Sequence, residues 1–310
     1  MQTLLLVAAV ALDLAIGDPP RLPHPVRALG AAYVWLDRLA DAWGWRGRVF
    51  GAVGVLGVVL ATSGLVWLLG SLPGVGWLIG LYFAMAGLAL GSLLREGRRA
   101  ARFLEENHTE AARTVVAGLV SRDVSALDAH GLWRALAESV AENANDAFIA
   151  PLFWLVLTGP AGLWAYKAIS TADSMWGYRT DRYRRLGWFG ARADDALAWL
   201  PARLTALGMV AAARLLGRGR GVRFRDIVAD ARKSASPNAG WPMAAAAWLC
   251  GAGMGGRAVY FGRLVEKPAM GPQGKPWNAM RYTILEKLVL VSGGLIALVL
   301  LVVRKIYLGT

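Results

Sequence analysis

Residues 138–175 read ESVAENANDAFIAPLFWLVLTGPAGLWAYKAISTADSM, and they set acids and amides against sequence apolar enough for lipid. Glu138, Glu142, Asn143 and Asp146 open the stretch, Ala147 to Tyr166 carries no charge, and Ser170 to Met175 restores polarity at Asp173. A basic run follows, then Asp194-Asp195 and Leu200-Pro201-Ala202-Arg203-Leu204. Acids, amides and guanidinium groups beside apolar helices are expensive, so they need partners, a ligand or a water-filled cleft. The rest of the chain reads as the platform that holds this stretch at a membrane face.

Composition agrees. Of 310 residues, 56% are hydrophobic and 18% charged, and the mean hydropathy is +0.43. That is too apolar for an ordinary soluble chain. The net charge of +13 fits anionic lipid or an anionic substrate better than nucleic acid, since no nucleic-acid-binding module is evident. The 14 tryptophans suit many membrane–water boundaries. Cys250 is the only cysteine, which excludes an intramolecular disulfide and a cysteine metal cluster. Met1 to Ala15 lacks a basic leader and reads as a retained membrane segment.

Outward from the central stretch, Thr3 to Ile16 is apolar except for Asp13. Gly17 to Arg27 holds four prolines, which predicts a stiff extended loop carrying Asp18, His24 and Arg27. Ala28 to Trp45 has helical apolar spacing at Leu29, Tyr33, Leu36 and Leu39. Val49 to Gly70 and Leu78 to Leu94 predict a transmembrane hairpin around Ser71-Leu72-Pro73-Gly74, with arginines on both flanks. Thr109 to Val120 predicts a short helix, ending at Ser121-Arg122-Asp123. Glu138, Glu142 and Asp146 lie four apart, a slowly turning stripe on a helix. Thr158-Gly159-Pro160-Ala161-Gly162 breaks the apolar run. Basic clusters on both sides of that run argue against a single crossing and for a re-entrant or interfacial helical pair. A membrane-dipping helix at Leu197 to Leu216, a loop at Ala235 to Gly240, a short helix at Trp241 to Gly251, an irregular Gly253 to Trp277 and a last span at Leu288 to Val303 complete the reading. No strand pairs are expected.

The fold class is therefore all-α: a multi-pass integral membrane protein with a cytoplasmic-facing polar active-site region. It is one membrane-embedded domain over residues 1–310, with the hairpin at 49–94, a catalytic region facing the cytoplasm at 95–240, and a C-terminal transmembrane helix at 288–303. No phosphate loop, zinc-protease, hydrolase or dinucleotide motif is present; Gly271 to Pro276 has the wrong spacing for a phosphate loop. The oxygen-rich set Glu138, Glu142, Asp146, Asp173, Asp194, Asp195, Asn143 and Asn238 suits a hard cation such as magnesium. Arg179, Arg182 and Arg203 suit phosphate or carboxylate. Structural readings stand beside these: Glu138 pairing with Arg134 at i,i+4, Asp194-Asp195 as helix caps, and a snorkelling Arg203.

These residues resemble the adenosylcobinamide-phosphate synthase family of cobalamin biosynthesis (the CbiB/CobD family). The resemblance rests on Gly17-Asp18-Pro19-Pro20 with His24-Pro25-Val26; Arg122-Asp123; Glu138 to Asn143 with Asp146 and Pro151-Leu152-Phe153; Thr171, Asp173-Ser174-Met175 and Gly177-Tyr178; Asp194-Asp195 with Pro201 to Leu204; and Ser236 to Gly240. It implies an ATP-driven, magnesium-dependent ligase in the cell (inner) membrane. Such a ligase joins the corrinoid adenosylcobyric acid to an amino-alcohol phosphate, (R)-1-aminopropan-2-ol O-phosphate or ethanolamine phosphate. It further implies catalytic Glu138, Glu142, Asp146 and Asp173, with Glu142, Asp146 and Asp173 toward the metal. Asp18, His24, Asn143, Asp194, Asp195, Arg203, Ser236 and Asn238 would contact substrate. A homo-oligomer or a complex with other cobalamin-pathway membrane enzymes fits the same resemblance. A non-catalytic membrane scaffold or sensor, and a transporter, are the competing classes. The chain departs from the family at Ser170 and Ala198, where asparagine is usual, at Ser234, where histidine is common nearby, and at Arg257, where proline is usual. Reporter fusions at Arg99 and at Arg184 are both expected on the cytoplasmic side; an external signal at Arg184 would mean that Ala147 to Tyr166 crosses fully.

Overall fold

The computed structural model describes residues 2–18, 24–260 and 262–308. Residues 19–23 of the expected proline loop lie outside them. In chain order the helices are α1 (Gln2–Ile16), α2 (Pro25–Trp43), α3 (Arg48–Gly70), α4 (Gly76–Ala86), α5 (Leu90–Glu105), α6 (Thr109–Ala117) and α7 (Ala129–Asn143). A π-helical turn, Ala144–Ile149, follows. Then come α8 (Ala150–Trp176), α9 (Trp188–Leu197), α10 (Trp199–Leu215), α11 (Phe224–Ala231), α12 (Gly240–Cys250), strands β1 (Met254–Tyr260) and β2 (Arg263–Met270), and α13 (Ala279–Leu308).

Among the described residues, Arg48–Gly70, Gly76–Glu105, Ala129–Trp176 and Ala279–Ile306 are long and apolar enough to cross a membrane. The pair α9 and α10, bent by 43°, could add a fifth span. α3 alone exposes Val49, Val53, Leu60 and Trp67, a surface that costs little only in lipid. The chain is thus a mostly helical, multi-pass membrane protein. It folds as two compact units, each discontinuous in sequence.

The first unit holds Met1–Gly91, Ala150–Ala198 and Leu300–Thr310. Its core gathers Tyr33, Val55, Trp176 and Leu186. Tyr33 meets the edge of Trp176 at 4.9 Å and donates to the Ala168 carbonyl at 2.9 Å. The isolated acid of α1 has a structural use. Asp13, 1% exposed, accepts from the N–H groups of Leu90 and Gly91 at 3.1 and 3.3 Å. It thereby caps the start of α5, where free N–H groups and the helix dipole favour an anion.

The break in α8 falls where Gly and Pro predict it. Gly159 takes φ 72° and ψ −171°, outside the helical range, and Pro160 follows. Gly190 of α9 packs on Ala172, while Leu197, seven residues on, accepts from the Trp154 indole at 3.3 Å. A straight α8 would put Trp154 and Ala172 about 27 Å apart, against about 10 Å along α9. The two arms are therefore not collinear. Pro160 has no N–H for the Val156 carbonyl. Arg304, 8% exposed, supplies that hydrogen bond instead.

At another edge of this unit Arg182 bridges Asp37 and Asp41 at 2.7 and 2.8 Å, and Arg46 contacts the same two acids. The Arg46 hydrogen bond, followed by that of Arg182, brings the exposed Asp41 carboxyl down to about 2. Arg182, an expected substrate cation, is thus committed to protein acids from a distant part of the sequence.

The second unit holds Ser92–Ile149 and Trp199–Val299. Small residues let α10 and α12 approach closely: Ala202, Ala206, Ala213 and Ala244 to Ala247 are buried. β1 and β2 form an antiparallel hairpin with a bulge between Met254 and Gly256. This corrects the strand-free, irregular reading of residues 253–277. Gly256 to Tyr260 and Arg263 to Lys267 pair in unbroken register, but Gly255-Gly256 and Pro268 mask the alternation at the open end. Asp230 ties the hairpin to the helices by accepting from Trp248 and Gly271 at 2.8 Å each. Burial alone would raise its carboxyl, but Lys233, the Gly271 N–H and Trp248 bring it below its ordinary value. The stability involved is present above the unfolded carboxyl's pKa and is lost as acid protonates the group.

Asp13→Ala is expected to leave two buried N–H groups unmade, at a cost on the order of 1–3 kcal/mol. The check is a lower unfolding midpoint in detergent micelles, with Asp13→Asn retaining part of the stability.

Candidate active site

α7 begins at Asp128, whose side chain accepts from the Gly131 N–H at 2.7 Å. Nearly every residue from Leu132 to Ala141 is buried. Glu138 is 1% exposed and pairs with buried Arg122, not with Arg134. It also accepts from the Gly255 N–H at 2.6 Å, at a backbone with φ 89°. Both oxygens of Glu138 are therefore engaged.

Glu142, one turn on, is half-buried. It has no hydrogen-bond partner among the described residues, and the charges that act on it are Lys267, Glu138 and Arg122. Asn143 turns back to donate to the Ser139 carbonyl at 3.0 Å. Asp146 sits in the π-helical turn and accepts from Asn145 at 2.7 Å. A turn closing at i+5 winds less per residue, which offsets the drift of an i,i+4 stripe. Asn145 is 1% exposed. Its side-chain Oδ1 lies 3.1 Å from the Thr205 hydroxyl of α10, which also lies 2.9 Å from the Pro201 backbone carbonyl.

Arg203 does more than snorkel. Its guanidinium stacks on Trp199 at 4.0 Å and Trp241 at 4.7 Å. It donates to the Trp199 carbonyl at 2.6 Å and reaches Asn238 Oδ1 and the Pro237 carbonyl at 3.4 Å each. Ser236 shapes that loop by accepting from the N–H groups of Asn238 and Ala239 at 3.2 Å each. Glu138, Glu142, Asn143, Asp146, Arg203, Ser236 and Asn238 thus all belong to the second unit, on α7, the π-turn, α10 and the loop before α12.

The first unit holds the remaining expected residues. His24 accepts from the Val26 N–H through Nδ1 at 3.2 Å, which leaves Nε2–H to donate to Asp18 at 3.1 Å. Asp173 and Asp195 feel each other's charge, and Asp194 adjoins them on α9. Asp194 and Asp195 lie inside α9, not at the cap of α10.

Sequence profiles and relatives agree on what carries this arrangement. The profile of the CobD/Cbib protein family matches residues 6–290. The chain belongs to this family of cobalamin biosynthesis. The cobalamin biosynthesis protein CobD of Pelobacter propionicus is 37% identical over 271 residues, covering 86% of this chain and 84% of its own. That of Geobacter metallireducens is 38% identical over 285 residues, covering 88% and 87%. That of Brucella suis is 38% identical over 295 residues, covering 89% and 88%. No solved structure matches.

Arg122, Asn145, Thr205 and the two tryptophans around Arg203 are site neighbours that were assigned no role from sequence. The pair Arg122-Asp123 was a family motif, and a buried acid needing a cation was the available signal for it. Among the described residues no group of three acidic, histidine or cysteine side chains could hold a metal ion. Magnesium commonly takes one or two carboxylates and completes its shell with water and substrate phosphate. The uncommitted carboxylate of Glu142 and the neighbouring Asp146 fit that pattern.

Arg122→Met is expected to strand the Glu138 charge and cost about 3–5 kcal/mol. The double variant Arg122→Met, Glu138→Gln should unfold at a higher temperature than the single variant, and detergent-phase thermal denaturation reads the difference.

Proposed function

We propose that this chain makes adenosylcobinamide phosphate by ATP-driven amide formation. The substrates would be adenosylcobyric acid and (R)-1-aminopropan-2-ol O-phosphate, or ethanolamine phosphate. The supporting observation is the contrast on α7: Glu138 is locked by Arg122 and Gly255, while Glu142, one turn away, has no hydrogen-bond partner among the described residues.

A carboxylate is a poor acyl donor. In the proposed first step the corrinoid carboxylate oxygen attacks the γ-phosphorus of ATP, and the bond to ADP breaks. In the second, the amine nitrogen attacks the acyl carbon, inorganic phosphate leaves, and the ammonium proton passes to a base. Glu142 is the base assigned here. Bound magnesium, held by Asp146, would offset charge on the phosphates. Arg203 suits the amino-alcohol phosphate, because its faces rest on indoles while Asn238 directs one edge. Glu138 acts as a positioning residue. The active face is assigned to the cytoplasm, where ATP is available, with the broken helix α8 re-entering the bilayer.

The test is purified full-length protein with adenosylcobyric acid, aminopropanol phosphate, ATP and magnesium, the product being read by mass. The expected amide falls at least about 100-fold in Glu142→Gln, with corrinoid binding retained. Corrinoid binding without turnover in the parent protein would instead point to a scaffold.

A further inference from the structure

Arg304 spends one nitrogen on the Val156 carbonyl, but its Nε–H is buried with no partner among the described residues. The Trp77 indole N–H on α4 is buried in the same condition. Both side chains line one cavity of about 340 Å³ within the first unit, beside the α8 break at Gly159-Pro160. No acid is among its lining residues, and Leu5, Leu6, Val66 and Leu155 make much of its wall. A guanidinium with no acid and an indole N–H with no acceptor both call for an anionic oxygen. Apolar walls disfavour a freely hydrated ion, so the anion must arrive attached to apolar chains. The nearby surface exposes Trp67, Leu72, Val75 and Leu78, on which such chains could lie.

We propose that this cavity binds the head group of an anionic phospholipid. Its phosphate oxygens accept from Arg304 and Trp77, and its acyl chains cover the exposed apolar face. The bound lipid then steadies the break that Arg304 already bridges.

Native mass spectrometry of the full-length protein in detergent tests this. The probes are phosphatidylglycerol, phosphatidylcholine of the same acyl chains, and inorganic phosphate. Phosphatidylglycerol should be retained about tenfold better than phosphatidylcholine, and Trp77→Phe and Arg304→Gln should abolish the preference. Arg304→Gln keeps an amide N–H for Val156, and Trp77→Phe leaves that contact untouched should the first variant misfold. Equal retention of the two lipids, or an unchanged preference in Trp77→Phe, would overturn the proposal. Displacement of phosphatidylglycerol by inorganic phosphate at equal concentration would overturn the lipid assignment.

Discussion

Backbone groups in apolar surroundings must find partners inside the protein, and this chain meets that constraint with its buried charges. Pro160 deprives the Val156 carbonyl of its helical N–H, and Arg304 takes its place. Asp13 accepts the free N–H groups at the start of α5. Glu138 accepts from Gly255 at the hairpin bulge, and Asp230 from Gly271 just past the end of β2. Each charge stands where a helix starts or breaks or a strand bends or ends. Water would satisfy these groups at an ordinary surface, but a buried site offers none.

This division of labour separates acids held by protein partners from acids without such ties. Neighbouring carboxylates on α7 look equivalent in sequence. In space, Glu138 is held by a guanidinium and a backbone N–H, so protonation or metal binding there would first have to break a buried ion pair. Glu142 has no such tie. The π-turn next along the chain carries Asn145, whose amide meets both Asp146 and Thr205. An extra residue in a helical turn is a costly feature that persists where it positions side chains, and here Asn145 links Asp146 to Thr205 of α10.

The apolar spans were legible because length and composition are local properties, and so was the break at Gly159-Pro160, where two residues carry the whole signal. The paired partners were not legible. Arg134 stands at the helical spacing that suggests a bond to Glu138, yet Arg122, beyond the helix start, holds it. Arg182 looked free for substrate because Asp37 and Asp41 lie far back in the chain. The hairpin was hidden for a related reason: strand pairing is non-local, and Gly255, Gly256 and Pro268 interrupt the period-two pattern that would have signalled it. An ordered family motif reached further than pattern alone where it grouped Asp18 with His24, and the structure joins this pair directly.

The departures from the family can now be weighed by where they fall. Arg257 is 79% exposed in its side chain and faces Glu266 across the hairpin, so a proline lost there removes stiffness at a surface rather than a ligand. Ser170 lends its carbonyl to Ser174 within α8, and a hydroxyl at that position has room to stay polar. Ala198 is different. It is 1% exposed and lies in the 43° bend between α9 and α10, one residue before the tryptophan that stacks on Arg203. An amide there would need buried partners, whereas a methyl needs none. The substitution therefore removes a polar obligation at the bend without touching the guanidinium. Arg203 keeps both indole faces and its contact with Asn238.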